Sequence, residues 1–491
     1  MSVQSGGSKR KPCFRYGFLH KSFQEFFAVF HLALNILRED EEAEIALIDK
    51  RFLGELKQVL LYICGVVAMK SEETAKFLIQ KITAHVNRVR ANFKRVRRII
   101  KLTFCLIEEC GKCNKSLRSQ LLHEFGAHLE LEVCTLEMIP RLDFFLESLS
   151  CKTFLTGLDL IPIFRNFESV GLVISDKGIA LLSQALSVIT TLTHLNLGNN
   201  LIVDSGAASL SQALSVNTSL THLNLDVNKI GASGAVFLSQ ALSVNTTLTY
   251  LNLGNNEIDD SGAEHLSQAL SVNTSLTHLN LDGVNRIGVS GASYLSEALS
   301  VNSSLTHLNL WLNNIGASGA ASLSHALSVN SSLTNLNLGG NKIDDSGATS
   351  LSHALSVNAK LTHLDLGFNW ISASGAASLS HAFLVKSSLT NLNLTNNKIG
   401  ASGAASLSIA LSVNQSLTTL NLCGNKIDDS GAIALSQALS VNTTLTDLYL
   451  DCNQIGESGV VSLSQALSVN TSLAHLILNE QNIDLAGDTS L

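Results

Sequence analysis

The sequence predicts a curved α/β solenoid, a horseshoe with parallel strands inside and helices outside, preceded by an all-helical domain. Three observations predict it. First, a pattern L-x-x-L-x-L-x-x-N-x-I-x-x-x-G-A-x-x-L-S-x-A-L-S-V-N recurs with its opening leucines at Leu192, Leu220, Leu248, Leu276, Leu305, Leu333, Leu361, Leu389, Leu417, Leu445 and Leu473. Every step is 28 residues except the 29 between Leu276 and Leu305. A fixed period of this length marks stacked units, each burying its apolar face on its neighbours. Second, the apolar spacing inside each copy switches from strand-like to helical. Third, residues 1–150 lack this period and space their apolar residues as helices do.

Within a copy the elements follow in order. Leu220, Leu223 and Leu225 alternate with polar residues, the period of a short strand with one face inward. Asn228 comes next and recurs as Asn200, Asn256, Asn285, Asn313, Asn341, Asn369, Asn397, Asn425 and Asn453. A carboxamide both donates and accepts, so a stacked column of them can satisfy the backbone where each coil turns. After Ile230 and Gly234, Leu238, Ala241 and Leu242 fall on one helical face. The Ser or Asp just before the glycine is expected to cap the helix, and Asn245 is expected to end it in the left-handed region. Helices are wider than strands, so the stack curves with the strands inside.

This pattern resembles the ribonuclease-inhibitor type of leucine-rich repeat. The resemblance covers residues 151–491, with about 11 regular copies, a degenerate first copy at Leu155-Thr-Gly-Leu158-Asp-Leu160 and an incomplete last one. It implies a binding surface on the concave strand face.

Composition changes near residue 150. Residues 1–150 hold 23 Lys+Arg and 18 Asp+Glu, a balance of +5; residues 151–491 hold 10 and 22, a balance of −12. Val86, Val89, Phe93, Val96 and Ile100 share a helical face, with Arg88, Arg90, Lys94, Arg95, Arg97, Arg98 and Lys101 around it. That reads as the solvated side of a packed helix rather than a nucleic-acid or membrane patch, so no specific nucleic acid is expected. The apolar stretches Phe26–Leu37 and Val59–Met69 fall short of the roughly 20 residues a membrane-spanning helix needs, so no transmembrane segment is expected.

The segment Tyr16-Gly-Phe18-Leu19-His20-Lys21-Ser22-Phe23-Gln24-Glu25-Phe26-Phe27-Ala28 is similar to a segment of NOD-like receptors. In that family it lies in the helical region between the nucleotide-binding NACHT module and the repeats. The resemblance implies the carboxy-terminal piece of such a receptor, non-catalytic and cytoplasmic, acting in innate-immune sensing and autoinhibition. Its implied partner is a protein ligand or the receptor's own NACHT module. No G-x-x-x-x-G-K-[ST] phosphate loop occurs, and Gly6-Gly7-Ser8-Lys9 has the wrong spacing for one. The chain opens where the family's ATPase has ended and stops 18 residues after Leu473, which fits a fragment.

No nucleophile elbow or H-E-x-x-H motif occurs, and no cofactor is expected. Asp259-Asp260, Asp344-Asp345 and Asp428-Asp429 precede helices, where carboxylates cap and complement the dipole. Cys110-Gly-Lys-Cys113 lacks a partner pair at zinc spacing, so the nine cysteines read as reduced thiols of a cytosolic protein. The N-x-[ST] triplets at Asn217, Asn245, Asn273, Asn302, Asn330, Asn414, Asn442 and Asn470 read as turn chemistry copied with the repeat, since no apolar signal segment precedes them.

Candidate contacts lie on the strand face. One column runs His194, His222, Tyr250, His278, His307, Asn335, His363, Asn391, Thr419, Asp447, His475. Adjacent strands sit roughly 4.8 Å apart, so its histidines are neighbours, although nothing completes a tetrahedral metal set. A second column is almost all Asn until Tyr449; a third includes Asp226, Asp282, Trp311 and Asp451. The residues that depart from the pattern, among them Tyr250, Trp311, Phe368, Trp370, Asp447, Tyr449 and Asp451, are the expected partner contacts, because aromatic side chains anchor interfaces. The rival reading is a regulator resembling ribonuclease inhibitor or the GTPase-activating protein for Ran, whose acidic array would suit a basic target.

Overall fold

The computed structural model describes residues 72–88, 93–113, 115–129, 133–135, 142–149, 155–161, 174, 176–384 and 388–479. The Tyr16–Ala28 motif, Gly6–Lys9 and the apolar stretches Phe26–Leu37 and Val59–Met69 lie outside the described residues. The contacts divide the chain into two units, one gathering the described residues of Met1–Ser169 with Leu181–Thr193, the other those of Val170–Ala180 and His194–Leu491.

The first unit contains helices Glu72–Arg88, Phe93–Cys113, Lys115–Ala127 and Leu142–Ser148. Val86, Val96 and Ile100 are fully buried, while Arg97 and Lys101 on the basic side are exposed. Phe104 meets Phe125 edge to face at 5.3 Å, a favoured aromatic geometry. Arg118 pairs with Glu147 at 2.8 Å. A Cβ on Gly126 would stand 1.7 Å from the Ser148 carbonyl oxygen, so this close helix approach requires glycine. Besides the helices, Val133–Thr135 forms a strand parallel to Gly157–Asp159. The latter is the strand expected at the degenerate first copy. The former has no periodic signal, because three residues are too few to show alternation.

The second unit is the repeat array. Its strands, from His194–Asn196 to His475–Ile477, pair parallel in sequence order, with equivalent residues opposite one another throughout. One helix follows each strand from His194–Asn196 to Asp447–Tyr449, as in Ala232–Leu242, and successive helices pack side by side. The core is what the pattern requires: Leu220, Leu223, Leu225, Ile230, Ala235, Leu238, Ala241 and Leu242 are all buried.

The Asn228 column closes the turns. Asn228 Nδ2 donates to the carbonyls of Leu225 (2.9 Å), Leu197 (3.0 Å) and Asp226 (3.1 Å), while its Oδ1 accepts from Ile202 N (2.8 Å) and Asn200 N (3.1 Å). Each such amide thus ties its own coil to the preceding one.

Two turn expectations are corrected. Ser233, just before the glycine, lies inside helix Ala232–Leu242, whose N-cap is Gly231. Capping falls instead to the first Asp of each pair: Asp259 Oδ1 accepts from Ser261 N and Gly262 N at 3.0 and 3.1 Å. Nor does Asn245 turn left-handed. It is absent from the positive-φ residues, and its counterparts Asn302, Asn330 and Asn358 end their helices in extended backbone, φ −70, −66 and −71°. That geometry aims the carboxamide forward, so Asn245 Oδ1 accepts from Thr247 N and Leu248 N at 3.0 and 2.8 Å. Its Nδ2 donates back to Leu214 O at 2.7 Å, which commits the nitrogen a glycan would need. The left-handed residues flank the Asn228-type position instead, before it at Val227 (φ 51°), Leu312 (φ 54°), Phe368 (φ 55°) and Cys452 (φ 53°), and after it at Leu201 (φ 57°), Lys342 (φ 59°) and Lys426 (φ 57°).

Candidate interaction surface

The strand face carries a groove of about 660 Å³, running from Tyr250 to Tyr449 and floored by the strands between them. Its walls are the polar columns. His278, His307, Asn309, Asn337, His363 and Asp365 all line it.

The first column forms a row of rings. His194 and His222 stack at 4.2 Å, His222 and Tyr250 at 5.6 Å and His278 and His307 at 4.0 Å, while Tyr250 and His278 are tilted by 37° at 6.1 Å. Exact in-register pairing makes this possible, because each ring sits one strand from the next. The preceding threonines fix the rings. Thr277 Oγ1 donates to Thr249 O at 3.0 Å, and Thr306 Oγ1 to Thr277 O at 3.0 Å. His278 Nδ1 and His307 Nδ1 each lie 2.8 Å from these threonine hydroxyls, in hydrogen bonds whose direction follows the tautomer of the ring.

Burial lowers the pKa of His222, with His194 and His278 adding to the effect; burial also lowers His278. Burial, then His278 and His363, lowers His307. The rings are therefore neutral at neutral pH. Their stacking is fully stable above the ordinary histidine pKa of about 6.5 and is weakened as pH falls from there through the lowered values.

The third column alternates small and large. Asp226 leans over Gly198 and Asp282 over Gly254, where added Cβ atoms would meet the carboxylates at 2.3 and 2.1 Å. Trp311 covers Gly339 in the same way, with Cδ1 2.7 Å from the Cβ position. Burial raises the Asp226 pKa against an opposing hydrogen bond from Asn224, with Asp282 adding to the rise. Burial also raises the Tyr250 phenol, and the charges of Asp226 and Asp282 reinforce it. Asn309 Nδ2 donates to Asp282 Oδ2 at 3.0 Å.

The expected contacts thus fall in separate places. His194, His222, Tyr250 and His307 join one row of rings, beside Asp226 and Asp282. Tyr250, His307 and Tyr449 line the groove itself. Asp447 pairs with His475 Nδ1 at 2.6 Å; hydrogen bonds from Thr446 and then His475 hold its carboxyl below the usual range. Asp451 accepts from the Cys423 thiol at 3.1 Å and from Asn479 N at 2.9 Å. Phe368 and Trp370 lie on the turn after strand His363–Asp365, 53% and 52% exposed, and do not line the groove. His278 and His363 of the first column line the groove as well.

Charge is segregated. The three strand columns hold Asp226, Asp282, Asp365, Asp447 and Asp451, and no Lys or Arg. Among the array's cations, Lys229, Arg286, Lys342, Lys398 and Lys426 occupy the exposed turn beyond the Asn228 column, and Lys360 the exposed turn before Leu361. Among the described residues no three His, Cys, Asp or Glu side chains are grouped to hold a metal ion, and no helix is long and apolar enough to cross a membrane.

One strand, one amide turn and one helix per copy, stacked in register, define the leucine-rich-repeat class of interaction module. The family described as Leucine Rich repeat matches ten times, at residues 188–211, 216–239, 244–267, 272–296, 301–324, 329–352, 357–380, 385–408, 413–436 and 441–464. The array is therefore a leucine-rich-repeat domain. No curated protein matches the chain significantly. Among solved structures, an internalin from Listeria monocytogenes str. 4b F2365 is similar at 24% identity, over 63% of this chain and 83% of its own, with a TM-score of 0.36. Actin-binding site 2 of leiomodin-1 is 24% identical over 29% of this chain and 80% of its own, with a TM-score of 0.25.

Proposed function

We propose that this chain is the recognition and regulatory part of a NOD-like receptor. Residues 1–150 are its helical lead-in and residues 151–491 its repeats. It is non-catalytic and works in the cytosol, in innate-immune sensing. The groove of the strand face takes a protein ligand or shields the receptor's NACHT module. The observation that carries recognition is the groove from Tyr250 to Tyr449, a continuous polar wall broken by aromatic side chains. The receptor affiliation is supported by the Ser22-Phe-Gln-Glu-Phe-Phe-Ala28 segment ahead of helices and repeats.

The test is co-expression with a NACHT receptor fragment that lacks its own repeats. The chain is expected to co-purify with that fragment and to slow its nucleotide exchange. Undiminished co-purification by the variant Tyr250→Ser/His307→Ser/Tyr449→Ser would exclude the groove as the contact. Failure of the wild-type chain to bind would sink the shielding role.

A further inference from the structure

The amino-terminal half of the strand face has a chemistry of its own. Four features converge there. His194, His222, Tyr250, His278 and His307 form a ledge of rings whose faces turn toward one another, so that a visitor meets their edges. Nδ1 of His278 and of His307 each lies 2.8 Å from a threonine hydroxyl, which holds the ring in place. Asp226 and Asp282 stand beside Tyr250 closely enough for both charges to act on its phenol. No Lys or Arg shares the strand columns. Carboxylates beside ring edges, with no resident cation, favour one kind of visitor.

We propose that this ledge seats the cationic side chains of a basic polypeptide segment, and that acid releases it. The proposal rests on the strand face being the recognition surface and names the partner's chemistry. Guanidinium groups pair with Asp226 and Asp282 beside the ring edges. Arginine suits the site better than lysine, because its planar fork meets a carboxylate with two parallel N–H groups.

Acid reverses the sign of the site. The groups flanking the His278–His307 pair in its column are Tyr250 on one side, Asn335 and His363 on the other. Rings 4.0 Å apart resist double protonation, but the first proton already adds a positive charge. Guanidinium is then repelled.

The experiment uses the full chain and fluorescein-labelled octa-arginine, followed by anisotropy at pH 7.5 and 5.5, with labelled octa-glutamate as the opposite-charge probe. Octa-arginine is expected to bind at pH 7.5 and at least tenfold more weakly at pH 5.5. Asp226→Asn/Asp282→Asn is expected to lose at least tenfold at pH 7.5, whereas Glu264→Gln/Glu297→Gln on the helical side removes the same charge and keeps binding. His278→Asn/His307→Asn is expected to flatten the pH dependence. Asparagine already occupies this column at Asn335 and Asn391, so the replacement suits the fold. Equal loss from both carboxylate pairs would reduce the effect to diffuse charge and overturn the proposal. So would wild-type binding that is indifferent to pH, a result independent of any variant's folding. Co-purification with a NACHT fragment alongside failure to bind octa-arginine would sink the cationic partner and leave the recognition reading standing.

Discussion

Asp345 caps a helix to which it does not belong: its Oδ1 accepts from the backbone N–H of Gly375 at 3.0 Å, one copy further along the array. It also accepts from Ser372 N at 2.7 Å, while Asp344 beside it caps their own helix through Ser346 N and Gly347 N at 2.9 and 3.2 Å. The pairs at Asp259–Asp260 and Asp428–Asp429 divide the task in the same way. Where the preceding copy lacks the second acid and the helix also lacks a first Asp of its own, as at helices Gly316–Val329 and Gly400–Leu411, no side-chain cap is made.

Asp345→Ala is therefore expected to loosen helix Ala373–Leu384 rather than its own, at a cost of about 1 kcal/mol. Hydrogen exchange should show lost protection at Gly375 and Ala376 and little change at Gly347. The pH dependence has a definite sign. Burial works to raise the Asp345 pKa, but hydrogen bonds from Ser372, Ser374 and Gly375 outweigh it and hold it low. A lowered carboxyl stabilises the fold above the unfolded value of about 3.9, and the contribution disappears as pH falls below that. Asp345→Asn keeps acceptor geometry and should blunt this acid loss; protection of Gly375 lost equally in Asn and Ala variants would count against the capping account.

Much of this was legible in the sequence, for a physical reason. A stacked repeat writes its core into a period, so Leu220, Leu223, Ile230 and Leu238 declared their burial, and the Asn228 column declared its turn. What did not show were bonds between copies and the backbone signs of the turns. Asp345 and Gly375 are 30 residues apart, and no local pattern links them. Asn245 suits a left-handed cap by type, yet its carboxamide gains more by reaching forward in extended backbone. The ring row was half-visible. Its columns, His278 included, could be read off the strands, but the spacing and tilt of the rings depend on side-chain rotamers that no pattern encodes.

Val227 tests the turn directly. It is β-branched, exposed and held at φ 51°, where Asn199, Asn255 and Asn396 stand in other copies. Left-handed backbone costs such a residue roughly 1–2 kcal/mol, and asparagine less. Val227→Asn is expected to raise the denaturation midpoint, by about 1 kcal/mol of stability. A lowered midpoint would mean the Val227 side chain contributes packing that outweighs its backbone strain.

Cys423 tests the electrostatics of the third column. Burial, then the Asp451 carboxylate that accepts its S–H, pushes the thiol up to about 12. A free cysteine titrates near 8.5, so at pH 8.5 Cys423 stays a thiol while an ordinary cysteine is about half thiolate. Alkylation at pH 8.5, read by peptide mass spectrometry, should label exposed Cys452 much faster than Cys423. Asp451→Asn should bring Cys423 closer to the rate of Cys452. If it does not, burial alone protects the thiol.

Asn369 tests whether the amide column binds one copy to the next. Its Nδ2 donates to Leu338 O, Leu366 O and Gly367 O at 3.0, 3.0 and 3.2 Å, and its Oδ1 accepts from Ile343 N and Asn341 N at 2.9 and 3.0 Å. Alanine would strand those groups without water, at about 1–3 kcal/mol for each group left unsatisfied. The expected loss is at least about 3 kcal/mol, and it should be concentrated at the junction between the copies that begin at Leu333 and Leu361. Both tryptophans of the chain, Trp311 and Trp370, lie in the array on either side of that junction, so their fluorescence follows the array and not the amino-terminal unit. In urea, Asn369→Ala should split one transition into two, because a repeat array unfolds cooperatively only while its interfaces outweigh the cost of breaking between copies. A single transition shifted by less than about 1 kcal/mol would show that the leucine core, not the amide column, couples the copies.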